Sequence, residues 1–131
     1  MKKTPLLNDA ISAVIAEMGH TDSLAIGDCG LPIPKETSRI DIALRRGVPG
    51  FLETLQTVVE ELHVEKAVLA SEIQTASPAM LESVRETLPG VNCEFVSHEE
   101  FKKKLKDTKC VIRTGECTPY ANVILVAGVV F

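Results

Sequence analysis

The sequence has few aromatic residues, with no tryptophan and a single tyrosine among 131 residues. The lysine-rich stretch from 102 to 109 contains no aromatic residue, whereas proteins that bind single-stranded nucleic acid stack its bases on aromatic side chains. The formal net charge of -4 also gives no electrostatic reason to bind nucleic acid or an anionic membrane. These shortages favour a small molecule or another protein as the partner.

Long apolar runs are also missing, because no stretch approaches the roughly 20 apolar residues that a membrane-spanning helix requires. The opening Met-Lys-Lys is followed by Thr4, Pro5, Asn8 and Asp9, where a secretory signal would be continuously apolar. We therefore expect a cytoplasmic protein that does not contact a membrane. A length of 131 residues predicts one domain, residues 1–131, around one core.

The four cysteines lack the C-x-x-C spacing that is typical of zinc knuckles. A chain without an export signal is expected to keep its thiols reduced, so the sequence predicts free thiols at Cys29, Cys93, Cys110 and Cys117. Cys93 and Cys110 also lie in apolar strand patterns, where cysteine behaves as a small hydrophobic residue.

Helical and strand periodicities alternate along the chain. Asn8 is placed to cap a first helix that Gly19 would end in a left-handed turn. Alternation of this kind predicts an α/β fold, with a largely parallel central sheet flanked by helices in a single three-layer domain. The predicted strands span residues 24–26, 40–44, 66–70, 93–96, 110–113 and 123–130, and further helices span about 49–62, 78–88 and the residues from 98 onward.

Polar residues follow several of these predicted strands. Asp28 follows the first strand, and His98 begins the helix after the fourth, next to the capping box of Ser97 and Glu100. Because ligands bind at the carboxyl ends of parallel strands, we expect these polar side chains to converge there. The pattern leaves open whether one subunit supplies all of them.

Each of these residues has a simpler explanation when it is taken alone. His20 can compensate the dipole at the end of the first helix, Asp28 can stabilise a turn, and Tyr120 and Asn122 can be ordinary loop residues. A metal site built from His20, Asp28 and His98 is a further and weaker alternative. Glu72, and the pair Arg113 and Glu116, either line the site or form ion pairs between subunits.

Taken together, five blocks of sequence resemble the D-ribose pyranase family, in order and along the whole chain. The loop after Asp28 favours this family over the related L-fucose mutarotases. Cys29 is a departure, since the family pattern has alanine there. The blocks are Gly19-His20-Thr21-Asp22, Asp28-Cys29-Gly30-Leu31-Pro32-Ile33-Pro34, Ser97-His98-Glu99-Glu100-Phe101, Ile112-Arg113-Thr114-Gly115-Glu116-Cys117-Thr118-Pro119-Tyr120-Ala121-Asn122 and Ala127-Gly128-Val129-Val130-Phe131.

The resemblance implies an isomerase that interconverts the pyranose and furanose rings of D-ribose without a metal or an organic cofactor. His20 then resembles the general acid, since histidine exchanges protons near neutral pH. Asp28 would either orient His20 or bind a sugar hydroxyl. The remaining substrate-binding groups would be His98, Tyr120, Asn122 and the backbone of Ala121.

The resemblance also implies a homo-oligomer, with a decamer of stacked pentamers and sites between adjacent subunits as the expected form and an octamer as the alternative. Two other functions stay open at this point. The same residues would serve a non-catalytic sugar-binding or transport-associated protein, and they would also serve a mutarotase for another sugar such as L-fucose or allose.

Overall fold

A six-stranded sheet in the order β2-β5-β1-β6-β3-β4 forms the centre of the molecule. The coordinates are a computed structural model that describes residues 1–131. The strands are β1 (Ser23–Gly27), β2 (Arg39–Asp41), β3 (Val64–Ala70), β4 (Asn92–Val96), β5 (Val111–Arg113) and β6 (Val123–Ala127). The helices are α1 (Asp9–Glu17), α2 (Phe51–Val59), α3 (Ile73–Ala76), α4 (Pro78–Thr87) and α5 (His98–Lys104), and a short 3-10 turn spans Leu105–Asp107.

The predicted α/β fold with helices flanking one sheet is confirmed, and the sheet is mixed. Strand β6 runs antiparallel to both of its neighbours, β1 and β3, while the other three pairings are parallel. The segment between β5 and β6 explains this reversal. It spans residues 114–122, which is shorter than the dozen or more residues that a parallel crossover needs.

Alternating side chains of the strands face two separate cores, so the sheet is the middle of three layers. On one face Leu24, Ile26 and Leu125 pack with apolar residues of α1, α2 and α4. On the other face Ala25 and Ile124 pack with residues of α5 and the turn that follows it. The side-chain period of two residues in each strand produces this division.

Helix ends follow the predicted capping chemistry at two positions. The Asn8 side chain accepts a hydrogen bond from the Ile11 N–H at 2.9 Å, and the Ser97 hydroxyl accepts one from the Glu100 N–H at 3.2 Å. The left-handed turn expected at Gly19 lies instead at Thr21, whose φ is +70°. Helix α1 ends at Met18, whose backbone is extended, and the left-handed turn of the chain comes after His20.

Two strands are shorter than their apolar patterns predict. Strand β2 ends at Asp41, whose carboxylate accepts a hydrogen bond from the Ala43 N–H at 3.1 Å and so turns the chain. Strand β6 ends at Ala127, and residues 129–131 are exposed. Helix α3, a single turn, was not predicted. None of the helices has both the length and the apolarity needed to cross a membrane.

Candidate active site

Four predicted site residues lie along the side of the sheet at which strands β1 and β4 end. Asp28 follows β1, His98 begins α5 just after β4, and Tyr120 and Asn122 precede β6. Because β6 runs against its neighbours, its beginning lies beside the carboxyl end of β1. We call Asp28, His98, Tyr120 and Asn122 the sheet-edge cluster.

Asp28 and Asn122 bind each other through two hydrogen bonds. The Asn122 Oδ1 accepts from the Asp28 N–H at 2.8 Å, and the Asn122 Nδ2 donates to the Asp28 Oδ2 at 2.9 Å. Asn122 is fully buried, while Asp28 is partly exposed and also receives the Gly30 N–H at 2.8 Å. The carboxylate is thus fixed in place and keeps lone pairs for a further donor.

The close approach of these two residues depends on Gly27, the last residue of β1. A Cβ atom at Gly27 would come within 2.5 Å of the Leu31 side chain and 3.1 Å of the Asn122 Oδ1. Any larger residue would push Asn122 or Leu31 away from the turn. The glycine therefore sets the position of Asp28 relative to Asn122.

His98 and Tyr120 form the aromatic part of the cluster. Their ring centroids are 5.2 Å apart with an interplanar angle of 84°, and Phe101 stacks on the His98 ring at 6.4 Å. The Nδ1 atom of His98 is buried and has no hydrogen-bond partner in the protein. Because buried polar atoms are nearly always hydrogen-bonded, this nitrogen is suited to a polar group of a ligand.

Glu72, at the end of β3, holds the backbone of His98. Both of its carboxylate oxygens accept from the His98 N–H, at 3.1 and 3.0 Å. This hydrogen bond is the main reason that the pKa of Glu72 lies below its usual value. Glu72 therefore acts at the beginning of α5.

Glu116 organises the segment 114–122 that carries Tyr120 and Asn122. Its carboxylate accepts from the Phe51 N–H at the start of α2 at 3.1 Å and from the Thr118 hydroxyl at 2.8 Å. Burial opposes ionisation of Glu116, but hydrogen bonds from Phe51, Thr118 and Cys117 outweigh it and hold the pKa below its usual value. Arg113 contacts Asp41 at 3.0 Å rather than Glu116.

The segment ends in a turn that fixes three consecutive predicted residues. Tyr120 has a φ of +61°, which is uncommon for a residue other than glycine. The Ala121 N–H donates to the Thr118 carbonyl at 3.3 Å, and the Asn122 N–H donates to the Tyr120 carbonyl at 2.8 Å. Ala121 is buried, so its side chain packs in the core.

His20 is separated from the sheet-edge cluster within one chain. It precedes β1, whereas Asp28 follows it, and the five residues of β1 at about 3.3 Å each put about 17 Å between the two ends. The ring of His20 is half exposed, and its Nε2 lies 3.0 Å from the Glu65 Oε2. Asp28 and His20 of the same chain therefore do not pair.

The sheet-edge cluster lies on an open surface of the single chain. None of its residues lines a cavity, and the three largest cavities, of about 460, 320 and 310 Å³, are lined by other segments. No group of three or more His, Cys, Asp or Glu side chains is arranged to hold a metal. In particular, His20 is too far from Asp28 and His98 to share an ion with them in one chain.

Comparison with known proteins assigns the chain to a family. The sequence model of the RbsD / FucU transport protein family matches residues 1–130. The chain belongs to this family. Its membership confirms the resemblance that the sequence blocks around His20, Asp28, His98 and residues 112–122 indicated.

Relatives in the RbsD / FucU family match over the full chain. A D-ribose pyranase of Clostridium perfringens (strain SM101 / Type A) is 60% identical over 131 residues, 100% of both chains. A D-ribose pyranase of Lactobacillus johnsonii (strain CNCM I-12250 / La1 / NCC 533) is 53% identical with the same coverage. The structure of Bacillus subtilis RbsD complexed with D-ribose has a TM-score of 0.97 at 44% identity and covers 100% of each chain.

The family fold extends to more distant members. The fucose mutarotase from Streptococcus pneumoniae, in complex with L-fucose, has a TM-score of 0.86 at 20% identity and covers 100% of both chains. That identity supports a common fold alone. The site residues named from the sequence therefore stay predictions, which the geometry above makes specific.

Sequence reasoning gave no definite role to three carboxylates near these residues. From the sequence, Glu72 and Glu116 either line the site or form ion pairs between subunits, and no local pattern marks Glu65. Their contacts join residues far apart in sequence, such as 20 with 65 and 51 with 116. The sequence signal available for Glu72 was its place at the end of a predicted strand, which is shared by many surface residues.

Proposed function

We propose that this chain is a D-ribose pyranase, an isomerase that interconverts the β-pyranose and β-furanose forms of D-ribose by acid and base catalysis. The observation that carries the proposal is the sheet-edge cluster, in which a carboxylate, an amide, a phenol and the unpartnered His98 Nδ1 lie together. Such groups donate to and accept from the hydroxyls of a sugar. The pyranase relatives at 53 to 60% identity support the same substrate.

Ring interconversion requires proton transfers and no redox step. As the bond between C1 and the ring oxygen breaks, the ring oxygen gains a proton and the anomeric hydroxyl loses one. His20 supplies the first proton and recovers one from the anomeric hydroxyl, directly or through water. Attack of a different sugar hydroxyl on the aldehyde closes the other ring by the reverse transfers, so the enzyme ends in its starting protonation state.

The sheet-edge cluster holds the sugar during these steps. The Asp28 carboxylate, already fixed by Asn122, accepts from a sugar hydroxyl, and the His98 Nδ1 forms a second hydrogen bond. Tyr120 and Asn122 supply further polar contacts, and the Ala121 backbone contributes to the same turn. No metal or organic cofactor takes part in this proposal.

The separation of His20 from the cluster supports a site shared between two subunits. A small-molecule site usually buries most of its ligand, but the cluster on one chain lines no cavity. A neighbouring subunit that brings its own His20 over the cluster would supply both the acid and the missing wall. We therefore propose a homo-oligomer with sites between adjacent subunits, and the family resemblance implies that it is a decamer.

The cellular location is part of the same proposal. The four cysteines are free, and the thiols of Cys29 and Cys117 are 3.7 Å apart without a bond between them. The spacing of the four cysteines does not form a disulfide or zinc-knuckle pattern, which fits a protein of a reducing compartment. We propose that the protein acts on free D-ribose in the cytoplasm.

Saturation-transfer NMR tests the proposed activity. Transfer between the anomeric protons of the pyranose and furanose forms of D-ribose is measured with the wild-type protein and with His20→Ala. We expect protein-dependent transfer that the variant loses by about a hundredfold or more, while sugar binding is retained in part. Transfer at the uncatalysed rate with wild-type protein would refute the proposal.

A non-catalytic role in sugar transport is the second candidate, favoured by the description of the family as transport proteins. Such a protein would bind D-ribose through the sheet-edge cluster and have no exchange to lose in His20→Ala. A mutarotase for another sugar would show transfer with L-fucose or allose instead. The same NMR experiment, repeated with these sugars, distinguishes the pyranase, the non-catalytic protein and the mutarotase for another sugar.

A further inference from the structure

His20 makes one side-chain hydrogen bond within the chain, and its partner is a carboxylate that the proposed mechanism does not yet use. The His20 Nε2 and the Glu65 Oε2 are 3.0 Å apart. We propose that Glu65 is a positioning residue that fixes the orientation and the tautomer of His20. The inference rests on the proposed function, because it concerns the proton transfer assigned to His20.

An irregularity in the sheet places Glu65 beside His20. In the pairing of β3 with β6, Val64 lies opposite Ala127 and Lys66 lies opposite Val126. Two steps along β3 thus match one step along β6, and Glu65 is the extra residue of a β-bulge. Bulges redirect side chains and are frequent next to active sites.

The turn that carries His20 is fixed to the same position of β6. The Thr21 N–H donates to the Ala127 carbonyl at 3.0 Å, and the Ala127 N–H donates to the Asp22 carbonyl at 2.8 Å. The φ of +70° at Thr21 is rare for a β-branched residue, and strain of this kind persists where the surrounding structure enforces it. His20 and Glu65 are therefore both anchored at Ala127.

Gly128 allows the end of β6 to pass close to the bulge. A Cβ atom there would lie 2.7 Å from the His63 ring and 3.1 Å from the Glu65 Cβ. The Gly128 N–H donates to the His63 carbonyl at 2.9 Å. This close contact limits the backbone positions open to Glu65.

The hydrogen bond between Glu65 and the His20 Nε2 determines which ring nitrogen of His20 can exchange protons with a sugar. A carboxylate accepts hydrogen bonds, so the His20 Nε2 carries the proton in this pair. Neutral His20 then presents the lone pair of Nδ1, and protonated His20 presents an N–H there. Nδ1 is therefore the atom that exchanges protons with the sugar. In other sites too, the hydrogen bond made by one ring nitrogen determines the protonation of the other.

The exposure of the pair argues against a role in stability alone. The side chains of His20 and Glu65 are 53% and 42% exposed, and ion pairs this exposed contribute little to the free energy of unfolding. Asp28, the other carboxylate considered for orienting His20, lies at the opposite end of β1. Glu65 is the carboxylate that reaches the ring within the same chain.

The test combines a tautomer measurement with exchange kinetics. Protein labelled with ¹⁵N at its three histidines is studied by magic-angle-spinning NMR, and His20→Gln identifies the His20 signals. In Glu65→Ala we expect His20 to lose its uniform Nε2–H tautomer. We also expect kcat for D-ribose exchange to fall about tenfold to a hundredfold, with a much smaller change in KM.

Two further variants make the result specific. Glu94→Ala removes another half-exposed carboxylate, paired with Lys66 at 3.4 Å, and should leave both readouts at their wild-type values. Glu65→Gln keeps an oxygen acceptor for the Nε2–H and should retain an intermediate kcat. It also replaces Glu65→Ala if that variant fails to fold or assemble.

Unchanged His20 signals and unchanged kcat in the Glu65 variants would overturn the inference. An equal loss of kcat in Glu94→Ala would overturn it as well, because the effect would then reflect general surface charge. If wild-type protein shows a tautomer that depends on Glu65 but does not exchange D-ribose, the pairing stands and the proposed function fails.

Discussion

Two members of the sheet-edge cluster are held by specific neighbours before any ligand binds. Asn122 holds the Asp28 carboxylate, and Glu72 holds the backbone of His98. Prearranged polar groups of this kind lose little freedom when a ligand binds. These individual hydrogen bonds therefore determine how well Asp28 and His98 are ordered before a sugar binds.

Asn122 is the residue whose loss should affect both stability and binding. Asn122→Ala leaves the Asp28 N–H without its buried acceptor, which we expect to lower the free energy of unfolding by about 1 to 3 kcal/mol. KM for D-ribose should rise because the Asp28 carboxylate loses its fixed position. Urea denaturation and exchange kinetics measure the two effects, and Asn92→Ala, at an exposed position, serves as control. Equal stability of the two variants would contradict the expectation.

Cys29 and Cys117 form a thiol pair that joins the Asp28 turn to the segment 114–122. Their sulfur atoms are 3.7 Å apart, and the hydrogen bond with Cys117 is the main reason that the pKa of Cys29 is raised. A raised pKa lowers the thiolate fraction near neutral pH, so oxidation by diamide should accelerate as pH rises. Mass spectrometry should show the loss of two hydrogens and a 29–117 link.

The buried thiol of Cys110 is an internal control for the oxidation of Cys29 and Cys117. Burial raises its pKa to about 11, so the native protein should leave it unmodified. Cys29→Ala, which restores the residue of the family pattern, should prevent the intramolecular link. If the thiols of Cys29→Ala were oxidised as rapidly as those of wild-type protein, the pair would have no special reactivity.

At the scale of elements, the segment between β5 and β6 carries two residues of the proposed site, Tyr120 and Asn122. It is too short for a parallel crossover, so β6 returns antiparallel and its start reaches the edge where β1 ends. Glu116 then ties this segment to the start of α2. The same connection therefore explains both the mixed sheet and the placement of Tyr120 and Asn122.

Glu116 should make stability depend on pH in a defined direction. Its pKa is lowered in the folded chain, so its contribution is present above the unfolded pKa of about 4.3 and is lost as pH falls through the folded value. At pH 7 we expect Glu116→Gln to cost about 1 kcal/mol.

Thermal unfolding at several pH values measures this contribution. The difference in Tm between wild type and Glu116→Gln should be largest at neutral pH and should shrink below about pH 4. Glu86→Gln, at an exposed position of α4, is the matched control and should behave as wild type. A difference in Tm that grows on acidification would have the wrong sign for this mechanism.

For the whole molecule, the main feature is a division of the proposed site. His20 and Glu65 lie at one end of β1, and the sheet-edge cluster lies at the other. Head-to-tail contacts in ring-shaped oligomers bring different surfaces of identical chains together. A head-to-tail contact would therefore place the His20 end of one subunit over the cluster of the next.

Subunit mixing tests this arrangement. His20→Ala and Asp28→Ala chains are each expected to be inactive, but a co-expressed equal mixture should recover about a quarter of wild-type exchange, since one in four head-to-tail contacts then pairs two intact halves. Native mass spectrometry on the same samples gives the number of subunits. Co-expression of Asp28→Ala with Asn122→Ala is the control: both changes lie in the sheet-edge cluster, so the mixture should show no more exchange than the mean of the two variants alone. No recovery in the first mixture would place the whole site in one chain.

The sequence by itself determined the fold class and the cap at Asn8, and it named the candidate site residues, which stay predictions. These rest on local physics, because periodicity, capping and turn chemistry act between residues a few positions apart. The blocks around Asp28, His98 and residues 112–122 were also sufficient to predict the family, which the family match over residues 1–130 confirms.

Only the tertiary structure decided how these residues are grouped. The direction of β6, the pairing of Glu65 with His20 and the anchoring of Glu116 at Phe51 depend on contacts between distant positions. Local patterns place Asp28 and His98 after their strands, but they do not show which distant residues each of them will contact. Long-range packing and strand order set that choice, and they separate His20 from the cluster by the length of β1.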